Sequence, residues 1–492
     1  MTLVELLQRA GVAADLIDQG DCEVQSLCAD SRSPQAGALY VTMPSERSDT
    51  GAFIGQAREH GAVAALVRND SGLDHARAVG IPHILIRDEG HRFYASLGRL
   101  CRASAPDDPT LSMRVIGVTG TNGKSTVAWM LRDALSSLGC KAAYLGTLGF
   151  ACGSDVMPLA NTTPFPVELW TMLRQARQAG CTDLVMEASS HALVQRRLAG
   201  VSFAAGVFTN LTQDHLDYHQ SMHAYSEAKK LLFTEYAMAS PRPFVAVLNT
   251  DDPVGRHWSA ELPTPVLRFG EGGVHIANPS VGVSNIAGQL NGAHGFNAAV
   301  GGAFNIQNLT ATAATLLALG YSESDAAHAL SQVTPVPGRF ESVPNSLGIG
   351  VIVDYAHTPD ALEKLLGSAI ATHPRKIITV FGCGGDRDRT KRPLMAAAAA
   401  KSSDLVIATS DNPRTEDPET ILDEVVRGLP AGFPHERVTD RREAIRRAVA
   451  IAEPGDVVVI AGKGHETVQV IGYTAIPMDD RELAREALAV RA

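Results

Sequence analysis

The chain has 492 residues, 45% of them hydrophobic and 20% charged, with a formal net charge of -10. That length exceeds what one hydrophobic core supports, and a prior of about 150 residues per domain gives three. The net acidity argues against a general binder of nucleic acid or membrane surfaces, so basic residues for an anionic substrate must be local.

No run reaches the roughly 18 apolar residues of a membrane span, so no membrane insertion is expected. The opening MTLVELLQRAG carries an acid where a signal peptide carries bases, and the expected location is the cytoplasm. Seven cysteines, at 22, 28, 101, 140, 152, 181 and 383, occur singly with no C-x-x-C pair. They read as reduced thiols, mostly small core residues, rather than a disulfide frame or a zinc site.

Residues 1–105 mix short strands with helices such as 51–60 and 91–103. Asp30-Ser31-Arg32 follows an apolar stretch. It reads either as a hydroxyl and guanidinium for an anionic ligand or as a turn with a solvated arginine. The proline- and aspartate-rich SAPDDPTL, 104–111, places the first domain boundary.

Residues 106–336 alternate apolar runs with helical stretches, the pattern of a doubly wound parallel α/β sheet. Met113 to Thr126, MRVIGVTGTNGKST, reads as strand, glycine-rich loop and helix. That order makes a phosphate cradle: loop N–H groups and the helix N-terminus face the anion, Lys124 adds a point charge, and Ser125 offers a hydroxyl to magnesium. The pattern G-x-x-x-x-G-K-[ST] wants glycine at Val118; the glycines fall instead at Gly117, Gly120 and Gly123.

Three further apolar runs end in polar residues: Glu187 to His191, Thr209 to His215, and Asn249 to Asp252. Ligands of open α/β sheets bind beyond the carboxyl ends of strands, so these ends should converge on the phosphate loop. Any one alone reads equally as a helix cap. Glu187 suits a magnesium ligand beside a phosphate loop; His191 is either a second ligand or part of the following helix. Lys229, with Lys230 beside it, reads as a solvated helix residue.

Residues 337–492 repeat one theme four times, with β-rich runs leading into DYAHTP (354–359), GCGGDRDR (382–389), DNPR (411–414) and AGKGHE (461–466). A second, Rossmann-like sheet is expected, with all four loops on one edge, forming a polar surface that can close over the first.

The chain resembles the Mur ligase family over nearly its whole length. The resemblance rests on GVTGTNGKST (117–126), NTTP (161–164), MEASSHALVQRR (186–197), FTNLTQDHLDYH (208–219), EAKKLLF (227–233), VDYAHTPDALE (353–363), FGCGGDRD (381–388), DNPR and AGKGHE. It implies an N-terminal UDP-sugar-binding domain, a central ATPase and a C-terminal amino-acid-binding domain. Within the family it is most similar to members that add meso-diaminopimelate to the D-glutamate γ-carboxylate of UDP-N-acetylmuramoyl-L-alanyl-D-glutamate. The implied reaction passes through an acyl phosphate and releases ADP, in peptidoglycan precursor synthesis. The order is chemically sensible, because phosphorylation gives a poor electrophile, the carboxylate, a leaving group; catalysis is then positioning and charge stabilisation.

The resemblance assigns residues. Gly117, Thr119, Gly120, Thr121, Asn122, Gly123, Lys124, Ser125 and Thr126 would hold ATP, with Asn305, Arg339 and Asp354. Ser31, the loop near Thr42 to Pro44, Asn161, Thr162, Thr163, Ser189, Gln195 and Arg197 would hold the UDP-muramoyl dipeptide. Lys124, Glu187, His191 and Lys229 would be catalytic; Ser125, Glu187, His191 and Lys229, the last as a carbamate, would ligate Mg2+. Arg387, Asp411, Asn412, Pro413, Arg414, Gly462 and Glu466 would bind diaminopimelate. Arg414 decides between amino acids, since a guanidinium clamps the distal carboxylate that lysine lacks; lysine-adding relatives lack this arginine.

One departure concerns the uridine end, where relatives carry Asp-Gly-His or Asp-Gly-Arg and this chain has Ser48 to Phe53. The alternatives are a sibling ligase, adding D-alanyl-D-alanine or extending folate with glutamate, and a P-loop ATP-binding switch that forms no amide bond. Arg387 and DNPR favour an amino acid charged at both ends over either sibling substrate.

Overall fold

The computed structural model describes residues 1–491 apart from 19, 33, 46–48 and 90. Ser48, in the departing uridine segment, lies outside the described residues. The chain forms two compact units: Met1–Ala128 with Gly139–Gly273, and Trp129–Leu138 with Val274–Ala492.

The first unit opens with strands β1 (Leu16–Asp18), β2 (Ser26–Cys28), β3 (Ala38–Val41), β4 (Ala62–Val67) and β5 (His83–Leu85), ordered β1-β5-β4-β3-β2. β1 is the antiparallel edge, and the other pairings are parallel.

Its second sheet contains β6 (Arg114–Thr119), β7 (Ala142–Gly146), β8 (Gly149–Ala151), β9 (Val156–Met157), β10 (Asp183–Glu187), β11 (Phe203–Phe208), β12 (Val245–Asn249) and β13 (Val266–Phe269). The order is β13-β12-β11-β6-β10-β7-β8-β9, with only the β8 and β9 pairings antiparallel. β6, β7 and β10 are apolar and buried on both faces, as expected of parallel strands covered by helices on each side. Register sets Glu187 beside Val118 and Phe208 beside Thr119. The ends of β10, β6 and β11 therefore lie level around the loop after Thr119.

The second unit holds an antiparallel sheet of β14 (Ile276–Val281), β15 (Ile286–Leu290) and β16 (His294–Ala298), with helices Asn305–Ala318 and Glu323–Leu330. Next come β17 (Glu341–Ser342), β18 (Gly350–Asp354), β19 (Ile377–Phe381), β20 (Leu405–Ala408), β21 (His435–Arg437) and β22 (Val457–Ala461), ordered β17-β18-β22-β19-β20-β21. All but β17 run parallel, so the loops after β18, β19, β20 and β22 leave from one edge. Neighbouring residues face opposite cores: Ile352 and Val406 pack on one side, Val351 and Ile407 on the other. A hairpin of β23 (Val468–Ile471) and β24 (Thr474–Pro477) follows.

Candidate active site

In the first unit the phosphate loop begins at Gly120, two residues later than the glycine pattern implies. Gly117 and Val118 are strand residues of β6. A Cβ at Gly117 would sit 3.0 Å from the Phe203 ring and 3.1 Å from Leu232, so this glycine serves packing beneath the loop. Val118 is a wholly buried strand position rather than a lost loop glycine. Gly120 is the turning point: its φ is +148°, and an added Cβ would lie 1.9 Å from Thr209 Oγ1.

The loop is tied to the end of β11. Thr121 N–H donates to Asn210 O (2.8 Å), Asn122 N–H to Asn210 Oδ1 (3.0 Å), and Thr209 Oγ1 to Asn122 O (2.6 Å). Intrahelical bonding starts with Val127 N–H on Gly123 O (2.8 Å). The amides of Lys124, Ser125 and Thr126 thus belong to the helix's first turn, where N–H groups lack intrahelical acceptors and suit an anion.

Lys124 Nζ donates to Gly120 O (3.0 Å) and Thr121 O (2.8 Å), and Lys229 Nζ to the same Gly120 O (2.8 Å). Lys229 is therefore not the solvated helix residue that its neighbourhood in sequence suggests. It is 1% exposed, with Nζ 4.1 Å from the Tyr225 ring centre. Lys230 faces outward to Glu261 (2.8 Å), which settles the register. Burial first, and then the charge of Lys124, push the Lys229 ammonium well below the usual lysine range. The fold thus disfavours the charged ammonium beside the phosphate loop.

Glu187 is wholly buried at the end of β10. Its Oε1 accepts from Tyr144 Oη (2.7 Å) and Thr147 N–H (2.8 Å), whereas Oε2 takes one longer bond from Thr147 Oγ1 (3.3 Å). Thr147 also meets Thr162 (3.0 Å). Thr163 Oγ1 donates to Glu187 O (2.8 Å) and accepts from Ser189 N–H (3.1 Å). Arg197 Nη1 donates to Thr163 O (3.0 Å), and Arg197 Nε to Gln195 Oε1 (2.8 Å). Hence Thr162, Thr163, Glu187, Ser189, Gln195 and Arg197 form one connected group, with half-buried Asn161 just before it.

His191 lies among rings: Tyr218 at 4.1 Å, His215 at 5.0 Å and His219 at 5.4 Å between centres. Burial lowers all three histidines, His219 to about 4. The neutral imidazole that a metal requires is therefore favoured.

Among the described residues no group of three or more His, Cys, Asp or Glu could by itself hold a metal ion. Magnesium is commonly held by one or two carboxylates, with water and phosphate completing its shell, and Glu187 Oε2, with its single longer hydrogen bond, is a carboxylate oxygen suited to that. Glu187 Oε2, His191 and Ser125 would be the chain's contribution.

At the uridine-side candidates, Ser31 Oγ donates to Gln56 Oε1 (2.8 Å) and Thr42 Oγ1 to Leu66 O (3.2 Å). Arg32 forks onto its own turn residue, Asp30 (2.8 and 2.9 Å), and is largely exposed. Of the two sequence readings of this segment, the turn with a solvated arginine describes Arg32.

In the second unit, Asn305 Nδ2 donates to Gly301 O (2.7 Å), and Asn305 Oδ1 accepts from Asn308 Nδ2 (2.8 Å). Asp354 accepts from Phe340 N–H and Ala356 N–H, both at 2.7 Å. Burial raises its carboxyl above the usual range, while Arg339 opposes that shift. Arg339 lies 4.7 Å from the Tyr355 ring centre.

Around the loops after β19, β20 and β22 the charged side chains interlock. Arg414 Nη1 donates to Gly385 O (2.7 Å); its backbone N–H donates to Val470 O (3.0 Å) at a left-handed φ of 51°. A Cβ on Gly384 would touch both Arg414 Nη1 (2.9 Å) and Arg387 Cγ (3.7 Å), so the two arginines flank one backbone position. Asn412 Oδ1 accepts from Lys463 Nζ (3.2 Å) and Val470 N–H (2.9 Å). Glu466 Oε2 accepts from Asn412 Nδ2 (3.2 Å) and Lys463 Nζ (3.1 Å). Gln469 Nε2 donates to the Asp411 carbonyl (2.6 Å), and Pro413 continues the loop, its carbonyl accepting from Glu416 N–H (3.1 Å). A Cβ at Gly462 would lie 3.0 Å from Asp411 Oδ2.

Three supporting residues escaped the sequence reading. Lys463 is fully buried beneath Asn412 and Glu466. Arg392 bonds Glu416 (2.8 and 3.0 Å), Glu424 (2.8 Å) and Gly384 O (3.2 Å). Arg441 joins Asp480 (2.6 and 2.7 Å) to the carbonyls of Ser410 and Ala461.

A phosphate loop with a lysine and a strand-end carboxylate, together with a strand-end surface of paired opposite charges, is the equipment of an ATP-dependent ligase acting on charged substrates. The chain belongs to the Mur ligase family: the Mur ligase middle domain matches residues 118–316, and the Mur ligase, glutamate ligase domain, residues 338–464. Similar full-length relatives are the UDP-N-acetylmuramoyl-L-alanyl-D-glutamate–2,6-diaminopimelate ligases of Gloeobacter violaceus and Geobacillus thermodenitrificans. The first is 43% identical, covering 100% of this chain and 99% of the relative; the second is 41% identical, covering 96% of each. A solved structure of an enzyme of that name is 31% identical over 99% of both chains, with a TM-score of 0.69. Among the described residues no helix is long and apolar enough to cross a membrane.

Proposed function

We propose that the chain joins meso-diaminopimelate to the D-glutamate γ-carboxylate of UDP-N-acetylmuramoyl-L-alanyl-D-glutamate, consuming ATP through an acyl phosphate, as a cytoplasmic step in peptidoglycan precursor synthesis. The three-domain division at about 105 and 336 is part of this reading. The observation that carries the amino-acid choice is Arg414 beside Arg387, with Asn412 and Glu466 fixed by buried Lys463. Two guanidinium groups and a carboxylate suit an amino acid that is zwitterionic at both ends.

In the first unit the loop amides and Lys124 hold the ATP phosphates, and the Thr163–Glu187–Arg197 group orients the UDP-linked carboxylate. Magnesium, when bound, draws charge from the phosphate oxygens. Lys229 takes up carbon dioxide as a carbamate: the amine form that burial favours attacks the carbon, one C=O π bond opens to give the carboxylate, and one N–H proton leaves to solvent, so that an anion stands where an ammonium would repel the metal.

Product formation with the UDP-linked dipeptide and ATP, with diaminopimelate and lysine in competition, tests the reading. Diaminopimelate should dominate, and Arg414→Ala should raise its KM at least about 30-fold, equivalent to about 2 kcal/mol. Unchanged kinetics in that variant would refute the assignment. For the carbamate, carbon-13 bicarbonate should give a carbamate resonance that Lys229→Gln lacks.

A further inference from the structure

Cys152 and Cys181 stand apart from the other cysteines because their sulfurs meet, at 3.1 Å. Cys28 Sγ donates to Asp30 O (3.1 Å), Cys22 Sγ lies 3.8 Å from Val63 O, and Cys140 accepts from Arg114 (3.4 Å). The sheet explains the meeting. β8 runs back along β7 with Ala151 opposite Tyr144, and β10 lies on the other side of β7 with Leu184 opposite Ala143. Cys152, one residue beyond β8, and Cys181, two residues before β10, therefore approach at the same end of β7.

The two residues differ in how they are held: Cys181 is tied through its backbone N–H to Ala176 O (2.9 Å). Cys152 lies in the bend after β8 and Cys181 just past the turn that follows the helix Pro166–Gln178, so neither belongs to a strand ladder. A disulfide needs a sulfur separation of about 2.05 Å, which asks for an approach of about 1 Å. Access is unequal: Cys152 is partly exposed, whereas Cys181 is 1% exposed.

We propose that Cys152 and Cys181 form a reversible dithiol–disulfide site, with Cys152 the entry thiol and a small-molecule disulfide such as oxidised glutathione the oxidant. The Cys152 thiolate attacks one sulfur of that disulfide, forming a mixed disulfide and expelling one thiolate. The Cys181 sulfur, surrendering its proton to solvent, then attacks the Cys152 sulfur and expels the second. Two protein thiols lose two electrons, and the small disulfide is reduced to two thiols. Burial and the neighbouring sulfur push the Cys181 thiol up to about 12, consistent with Cys152 reacting first. The link closes a covalent loop around Asn161 to Thr163 and the helix Pro166–Gln178, and so restricts the unfolded chain.

The test incubates the full-length protein with oxidised glutathione or with dithiothreitol. Oxidation should remove two hydrogens from the intact mass, leave five of the seven thiols titratable after denaturation, yield a peptide cross-link between 152 and 181, and raise the melting temperature by a few degrees, all reversed by dithiothreitol. Cys181→Ser should stop at a glutathione adduct on Cys152, and Cys152→Ser should give neither adduct nor cross-link at Cys181. Matching melting curves of the reduced variants and reduced wild type establish that each is folded. Seven titratable thiols after oxidation, or a cross-link mapping to another pair such as Cys140 with Cys181, would overturn the proposal.

Discussion

Gly120 concentrates the loop's geometry in one position. A side chain there meets Thr209 Oγ1 at 1.9 Å and needs a φ that side-chain-bearing residues avoid. Gly120→Ala should cost about 2 kcal/mol or more in denaturant unfolding and reduce ATP-dependent turnover at least about 100-fold; near-normal turnover would contradict the placement of the loop. Lys463 sets a second test. With Lys463→Met, Asn412 and Glu466 lose a shared buried donor, so the KM for diaminopimelate should rise about tenfold while that for ATP stays within about twofold, and Lys463→Arg should recover part of the loss. Both residues stood in glycine-rich motifs, yet only Gly120 was legible, because its left-handed φ is a local requirement even though its contact with Thr209 is not. Nothing in the spacing of AGKGHE tells that its lysine is buried against a residue 51 positions away. Lys229 was obscured in the same manner: a helix ending in two lysines reads as a solvated face until the loop 109 residues earlier packs on one of them.

Strands were the most legible elements, since parallel strands buried on both faces appear as uninterrupted apolar runs. The run through Val115, Ile116 and Val118 is β6, and it also explains the odd glycine spacing, because the strand extends to Thr119. Polar residues after β10, β11, β19, β20 and β22 were likewise visible as abrupt ends of apolar runs. What joins elements was not visible. Arg441 opens the helix Arg441–Ile451 and looks like a solvated first-turn arginine, but it is wholly buried against Asp480, which opens the helix Asp480–Arg491. Removing one partner strands the other's charge in the core. Arg441→Met should therefore lower unfolding stability by about 3–5 kcal/mol, whereas Arg441→Met with Asp480→Leu should recover most of it. A double variant as unstable as the single one would mean that the bonds from Arg441 to Ser410 O and Ala461 O matter more than the ion pair.

Each unit of the molecule contains a histidine whose protonation the fold resists, and this fixes the sign of the acid response. Burial pushes His219 in the first unit and His465 in the second down to about 4, against about 6.5 in an unfolded chain. Between those values the unfolded chain binds the extra protons, so stability falls as pH falls from about 6.5 to about 4, by at most about 1.4 kcal/mol per pH unit for each histidine. Carboxylates act lower. The Arg32 fork holds Asp30 at about 2, and Arg389 with Arg392 holds Glu424 at about 2. Their contribution is present above about 4 and is lost as pH falls toward about 2. Urea midpoints of the metal-free protein should accordingly already fall with falling pH near neutrality, where Lys229 binds its proton more readily in the unfolded chain, steepen below about pH 6.5, and decline again below about pH 4. Acidification also reduces the net charge of -10, and relief of self-repulsion works in the opposite direction. His219→Gln combined with His465→Gln separates the two effects: it should make the first decline shallower, the remainder coming from His191 and His215, and leave the second intact, so that any gain from charge neutralisation weighs more. A first decline of unchanged slope in the double variant would locate the titrating groups elsewhere.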